Sequence, residues 1–141
     1  MLIRKIEMRD LDEVYKLLNE LYENKIQYSI FVKKYKKSLN EDGFYGIVAE
    51  EDTKVVGVLI ARIIDRLVKS KYTLFADDLI VDKKYRQRGI GKLLLENATV
   101  HAKKINCETF ELTSYITNEN SHKLYESNGF KKQHYKFKKN L

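Results

Sequence analysis

The segment Tyr85-Arg86-Gln87-Arg88-Gly89-Ile90-Gly91-Lys92 joins the apolar run Leu79-Ile80-Val81 to an amphipathic helical stretch over residues 93–105. A strand, a glycine-bearing loop and a helix in that order call for a sheet covered by helices, since strand–helix–strand units need buried faces. The loop also makes a site for a phosphate-bearing ligand. Glycines spaced one apart let the backbone come close to a ligand. The free N–H groups and the positive end of the helix dipole then face the anion.

The rest of the chain can be read around that unit. Residues 2–7 alternate apolar and polar, as a half-buried strand does. Asp10, with Glu13 three residues on, has the spacing of a capping box. The helix that follows puts Val14, Leu17, Leu18 and Leu21 on one face. A second, basic helix is expected over residues 29–39. Residues 44–50 and 55–64 form a strand pair around the polar turn Glu51-Asp52-Thr53-Lys54. Residues 72–81 form the strand that enters the glycine loop. The helix beyond the loop buries Ile90, Leu94, Ala98 and Ala102 at i, i+4 spacing. Residues 109–115 read as a strand. Residues 118–128 read as a short helix closed by Gly129, and residues 130–137 as a last strand with Tyr135 and Phe137 on one side. The order is β-α-α-β-β-β-α-β-α-β. With no repeat, linker or composition shift, residues 1–141 are expected to form one domain.

Several function classes are set aside by composition. No apolar run approaches the ~18 residues of a membrane span, and the N-terminus lacks the apolar core of a signal peptide. A membrane partner is therefore not expected. The lone Cys107 excludes an internal disulfide and suits a reducing cytoplasm. The net charge of +7 is concentrated in residues 33–37 and 131–139. No aromatic RNA motif or recognition helix accompanies it, so nucleic acid is not the expected partner. His101 and His134 have no metal-ligand spacing with each other or with Cys107, and no metal is expected.

Three phosphate-binding patterns compete for the loop. A Walker loop fails, because Lys92 is followed by Leu93 and no glycine lies five residues before Gly91. A dinucleotide fingerprint fails at Leu94, where the third glycine should stand. The third pattern, Arg-x-x-Gly-x-Gly, is matched by Arg86 to Gly91. Downstream stands Asn118-Glu119-Asn120-Ser121-His122-Lys123-Leu124-Tyr125-Glu126-Ser127-Asn128-Gly129-Phe130, an Asn-x6-Tyr-x3-Gly-Phe pattern. With both motifs in this order, the sequence resembles the GNAT N-acetyltransferase superfamily. The resemblance implies a mixed, mostly antiparallel α/β sheet flanked by about four helices and splayed at an acetyl-CoA site.

It also implies roles. The pyrophosphate of acetyl-CoA would lie on the loop and helix start, with Arg86, Arg88 and Lys92 adding charge and Gln87, Gly89, Ile90 and Gly91 offering backbone. Leu79, Ile80 and Val81 would pair with the pantetheine amides, and Asn118 would bond the cofactor arm or a water. Tyr125 would be the acid for the leaving thiolate. An amine must lose a proton before attack, which calls for a base. Strand alternation lets only one of Asp77 and Asp78 face the substrate. In several small-amine acetyltransferases of this family an acidic residue stands two before the apolar triplet, and the resemblance selects Asp77, acting through water. His122 is expected at the surface or cofactor edge. The implied acceptor is a small primary amine of the amino sugar, aminoalkylphosphonate or polyamine type. The alternatives are a protein Nα- or lysine acetyltransferase, or a non-catalytic acyl-CoA-binding domain. Edge strands at the C-terminus are compatible with a homodimer.

Overall fold

The computed structural model describes residues 1–141. Its elements are β1 (Leu2–Lys5), a 3-10 turn (Met8–Asp10), α1 (Leu11–Leu21), α2 (Tyr28–Ser38), β2 (Phe44–Glu51), β3 (Lys54–Ile64), β4 (Tyr72–Val81), a second 3-10 turn (Lys83–Tyr85), α3 (Ile90–Lys104), β5 (Cys107–Leu112) and α4 (Glu119–Ser127). The five strands lie in chain order across one sheet. Neighbours are antiparallel except β4 and β5, which run parallel because α3 carries the chain back between them. The α/β class and the mostly antiparallel sheet flanked by four helices agree with the sequence. No helix is long and apolar enough to cross a membrane.

Alternation along the strands divides the core in two. Ile47, Ala49, Leu59, Ala61 and Leu74 face α3, where Ile90, Leu94, Leu95, Ala98 and Ala102 are all buried. Val48, Val58 and Ile80 face the other way, under Leu11, Val14, Leu17 and Leu18 of α1 and Tyr35 of α2. The lysines of α2 lie on its solvent side. Leu21, expected on the α1 stripe, is 42% exposed. The end of α1 past Leu18 stands clear of the core, and Leu11 supplies the fourth buried position instead.

The expected Asp10–Glu13 capping box does not form. Asp10 turns inward, where its carboxylate accepts two bonds of 2.8 Å from Arg4 and one of 2.8 Å from the Glu7 N–H. Glu50 also accepts from Arg4. Glu13 instead accepts from the Val55 N–H at 3.3 Å. A buried carboxylate held by a guanidinium fork satisfies more donors than a surface cap could.

Two boundaries move at the C-terminal end. Asn106, at φ 65, ends α3 in a left-handed turn, and β5 starts directly after it. Tyr115, placed by the sequence at the end of that strand, is exposed. The expected strand over residues 130–137 is absent. The Phe130 N–H bonds the Tyr125 carbonyl at 3.0 Å, and no backbone hydrogen bond follows it. Alternation supplies a strand's period, but a strand also needs an edge to pair with, and this segment meets none in its own chain.

Burial works against the Asp10 charge, but Arg4, the Glu7 N–H and Arg9 outweigh it and hold the carboxyl below its ordinary value. The stability it contributes is therefore present above pH ~4 and is lost as pH falls through and below that value. Urea unfolding across pH 7 to 3 should show a shallower acid limb for Asp10→Asn than for the native chain. Arg4→Met, which strands the Asp10 charge, should cost about 3 kcal/mol at pH 7.

Candidate active site

Past Val81 the chain turns sharply. The Asp82 carboxylate accepts from the Lys84 N–H at 2.9 Å, and Arg86 Nε donates to the Val81 carbonyl at 2.9 Å. Gln87 (φ 62) and Gly89 (φ 77) are both left-handed, and Gly89 is the N-cap of α3. The first backbone bond beyond the turn is Leu93 N–H to the Gly89 carbonyl, 3.0 Å. The N–H groups from Gln87 to Lys92 thus donate to nothing within the chain. Left-handed residues at a helix start make a concave run of donors, the arrangement that binds an anion.

The cations expected around that anion are engaged elsewhere. Arg88 makes a two-pronged pair with Glu51 at 3.0 and 2.7 Å and lies over the Tyr85 ring. Lys92 pairs with Glu96 at 3.6 Å, one turn along α3. The free donors here belong to the backbone. Gly91 has a different use from Gly89. A Cβ at 91 would stand 3.1 Å from Leu124 Cδ2, so the missing side chain lets α4 pack onto the start of α3. The two sequence motifs therefore meet in space.

Strand β4 pairs with β5 only as far as Ala76 opposite Leu112. Leu79, Ile80 and Val81 keep their pairing to β3, through Leu59, Val58 and Gly57, but have no partner on the β5 side. Their side chains pack into the two cores. The Asp82 N–H bonds the Val56 carbonyl, so alternate residues face β3, and the backbone groups of Leu79 and Val81 face the gap, the Val81 carbonyl already accepting from Arg86. Asn118 caps α4, its Oδ1 accepting from the Ser121 N–H at 3.4 Å. Tyr125, on the same helix, is half-buried against Phe130. Burial pushes its phenol above the ordinary value, with Ser121 acting weakly the other way, so it stays protonated at neutral pH. His122 bonds the Tyr115 carbonyl at 2.8 Å and ties α4 to the segment after β5.

The alternation that was to separate Asp77 from Asp78 is broken. Ile60 pairs with Asp78 and Ala61 with Ala76, leaving Asp77 as an extra residue in a β-bulge. Both carboxylates then reach partners on the α1 and α2 side of the sheet. Asp77 pairs with Arg62 at 2.9 Å, and Arg62 also reaches Glu41 at 3.5 Å. Asp78 accepts a hydrogen bond from the Tyr22 hydroxyl, at the end of α1. Burial pushes the Asp78 carboxyl up, the Tyr22 bond pulls it down, and the charge of Asp77 adds to the rise. Tyr22 is the residue that sequence reasoning missed. It lies just past the apolar stripe of α1, where periodicity carries no signal.

Farther along the same sheet face, Ile64, Arg66, Thr73, Phe75 and Glu111 line a cavity of about 190 Å³. Glu111 and Thr109 belong to β5 and are hydrogen-bonded to each other at 2.8 Å. No group of three or more His, Cys, Asp or Glu residues is arranged to hold a metal ion.

Residues 11–130 match the Acetyltransferase (GNAT) family. The chain belongs to that family. It is a GNAT-type N-acetyltransferase, and the family uses acetyl-CoA. Among curated relatives, the aminoalkylphosphonate N-acetyltransferase of Salmonella typhimurium is 27% identical over 139 residues, covering 99% of this chain and 90% of that protein. N-alpha-acetyltransferase 30 of Xenopus laevis is 30% identical over 128 residues, covering 91% of this chain but only 41% of that protein. Among solved structures, an aminoglycoside N-acetyltransferase in complex with CoA superposes with a TM-score of 0.88 at 20% identity, covering 99% of this chain and 93% of that one. At that identity the likeness is one of fold.

In the GNAT chain the Tyr22 hydroxyl favours the charged form of Asp78. Tyr22→Phe should therefore raise the pH at which Asp78 titrates, as followed by carbon-13 NMR of the aspartate carboxyls. An Asp78 titration that does not move would show the pair to be absent in solution.

Proposed function

We propose that residues 1–141 act as one domain that transfers an acetyl group from acetyl-CoA to the primary amine of a small molecule of the amino sugar, aminoalkylphosphonate or polyamine type. The observation that carries this is the run of unpaired N–H groups from Gln87 to Lys92 beside the unpaired backbone edge of Leu79, Ile80 and Val81. Such a run suits a pyrophosphate, and such an edge suits an amide-bearing arm laid alongside as an added strand. A small acceptor is supported by the cavity lined by Ile64, Arg66, Thr73, Phe75 and Glu111, on the strand that carries Asp77 and Asp78, and by likeness to the aminoalkylphosphonate enzyme over nearly its full length.

Bound acetyl-CoA supplies an electrophilic thioester carbonyl and a thiolate leaving group. The protein's part is to hold, orient and move protons. Gln87, Gly89, Ile90, Gly91 and Lys92 offer N–H groups to phosphate oxygens. Arg86 and Arg88 brace the loop through Val81 and Glu51 and add positive potential. A backbone N–H on the free edge of β4 polarises the carbonyl, and Asn118 steadies the arm. Asp77, oriented by Arg62, accepts the amine proton through a water. Asp78 and Tyr22 hold the ammonium until that proton leaves. Tyr125, protonated at neutral pH, returns a proton to the departing sulfur.

A thiol-release assay with polyamines, amino sugars, aminophosphonates, aminoglycosides and peptides tests the acceptor class. Turnover confined to peptides would replace the small-molecule reading with a protein acetyltransferase. CoA binding without turnover of any amine would replace it with a regulatory domain.

In the same assay Tyr125→Phe should lower kcat by about 100-fold or more while CoA affinity stays nearly unchanged. Native turnover in that variant would remove Tyr125 from its role. Gly89→Asp puts a carboxylate where the anion belongs and strains a left-handed position. It should weaken CoA binding by at least about tenfold in calorimetry, the equivalent of about 1.4 kcal/mol. Unchanged affinity would sink the donor-site assignment.

A further inference from the structure

We propose that the acceptor is a free basic amino acid, lysine or a close analogue. Arg66 and Glu111 hold its α-amino acid head, and its chain-end amine meets Asp77 and Asp78. This rests on the proposed function and narrows it to a molecule that joins the second amine of a polyamine to the anionic end of an aminoalkylphosphonate. The observation that carries it is the cavity of about 190 Å³, whose wall holds one unspent cation and one unspent carboxylate oxygen. Arg4, Arg9, Arg62, Arg86 and Arg88 each donate to a carboxylate or a carbonyl. Arg66 makes no such bond and no ion pair, although it lines the cavity.

The fold places both groups. Arg66 opens the turn between β3 and β4. The Lys69 N–H bonds its carbonyl at 3.0 Å, and the Lys69 ammonium reaches Glu108 of β5 at 3.5 Å. Glu111 is aimed by two hydroxyls. Its Oε2 accepts from the Thr109 hydroxyl at 2.8 Å, and the Thr109 oxygen lies 3.0 Å from that of the buried Thr73. A hydroxyl has a single proton, so Thr73 donates to Thr109 and Thr109 to Glu111. The Oε1 of Glu111 is left without a hydrogen bond. Arg66 and Glu111 thus share a cavity without pairing with each other. Opposite charges held apart in this way fit a ligand that bears both. The guanidinium fork suits a carboxylate, and the Glu111 carboxylate suits an ammonium. A phosphonate would set its second negative charge against Glu111, and a polyamine would set a cation against Arg66.

Size and reach agree with that head group. The cavity is smaller than the ~300 Å³ at which sites for drug-sized ligands begin, which favours an amino acid over an aminoglycoside. Glu111 stands opposite Phe75, and Asp77 lies two residues farther along β4, about 7 Å at the rise of a strand. An extended lysine side chain covers that distance, with its methylenes over Phe75.

Removing one charge at a time from the acceptor tests each partner. Cadaverine is lysine without its carboxylate, and ε-aminocaproate is lysine without its α-amine. In the thiol-release assay lysine should exceed both in kcat/KM by about tenfold or more. Arg66→Gln should lower the lysine value by a similar factor, and that penalty should vanish with cadaverine. The penalty of Glu111→Gln should vanish with ε-aminocaproate. Calorimetry of lysine onto the CoA-bound protein reads the head site without acetyl transfer and should show both losses. Lysine binding that needs both residues, with no turnover of any amine, would keep lysine as the ligand and sink the proposed transfer. Cadaverine equal to lysine, an Arg66→Gln penalty that persists on cadaverine, or turnover confined to lysine blocked at its α-amine and carboxyl would overturn the proposal. So would an aminoalkylphosphonate preferred over lysine and indifferent to Glu111→Gln.

Discussion

Strand β4 has neighbours on both sides only up to Ala76. Beyond that residue it keeps β3 and loses β5, and the proposed chemistry lies where the second ladder stops. On the side away from β3, backbone groups that a continuous sheet would consume are left without a strand partner at Leu79 and Val81, with the Val81 carbonyl accepting from Arg86. The extra residue at Asp77 turns two adjacent carboxylates to one side of the sheet. The loop that follows leaves six residues' N–H groups unspent, from Gln87 to Lys92. A ladder that stops, a bulge and a glycine loop thus set a free edge, a pair of acids and a donor array along and just after one strand packed into both cores.

Side-chain charge plays a smaller part in the loop than its sequence suggests. Arg88 is held by Glu51 and Arg86 by the Val81 carbonyl, so both stiffen the turn. A fixed backbone array needs no side-chain ordering when an anion arrives, whereas a free lysine or arginine must give up rotamer freedom. The densest lysine clusters lie on α2 and the tail, away from this loop.

Much of this was legible in the chain. The spacing of Ile90, Leu94, Ala98 and Ala102 gave the buried stripe of α3 because helical period and burial agree there. The strand pair around Glu51 to Lys54 followed from a polar turn between apolar runs. Two motifs sufficed to find the family. The bulge was not legible, since one inserted residue leaves composition and hydrophobicity unchanged while reversing which way Asp77 points. Tyr22 and Asp78 are 56 residues apart, and no local pattern links them. The tail's alternation was visible, but a strand's period does not say whether an edge is there to pair with.

The contact of Gly91 with Leu124 ties together parts that the sequence keeps far apart. The hollow left by one missing methyl is filled by the residue next to Tyr125. The start of α3 and the body of α4 therefore behave as a gear and its tooth. A chain that gains a side chain at position 91 must shrink position 124 to keep the phenol where it stands, so these two sites should drift in step rather than singly.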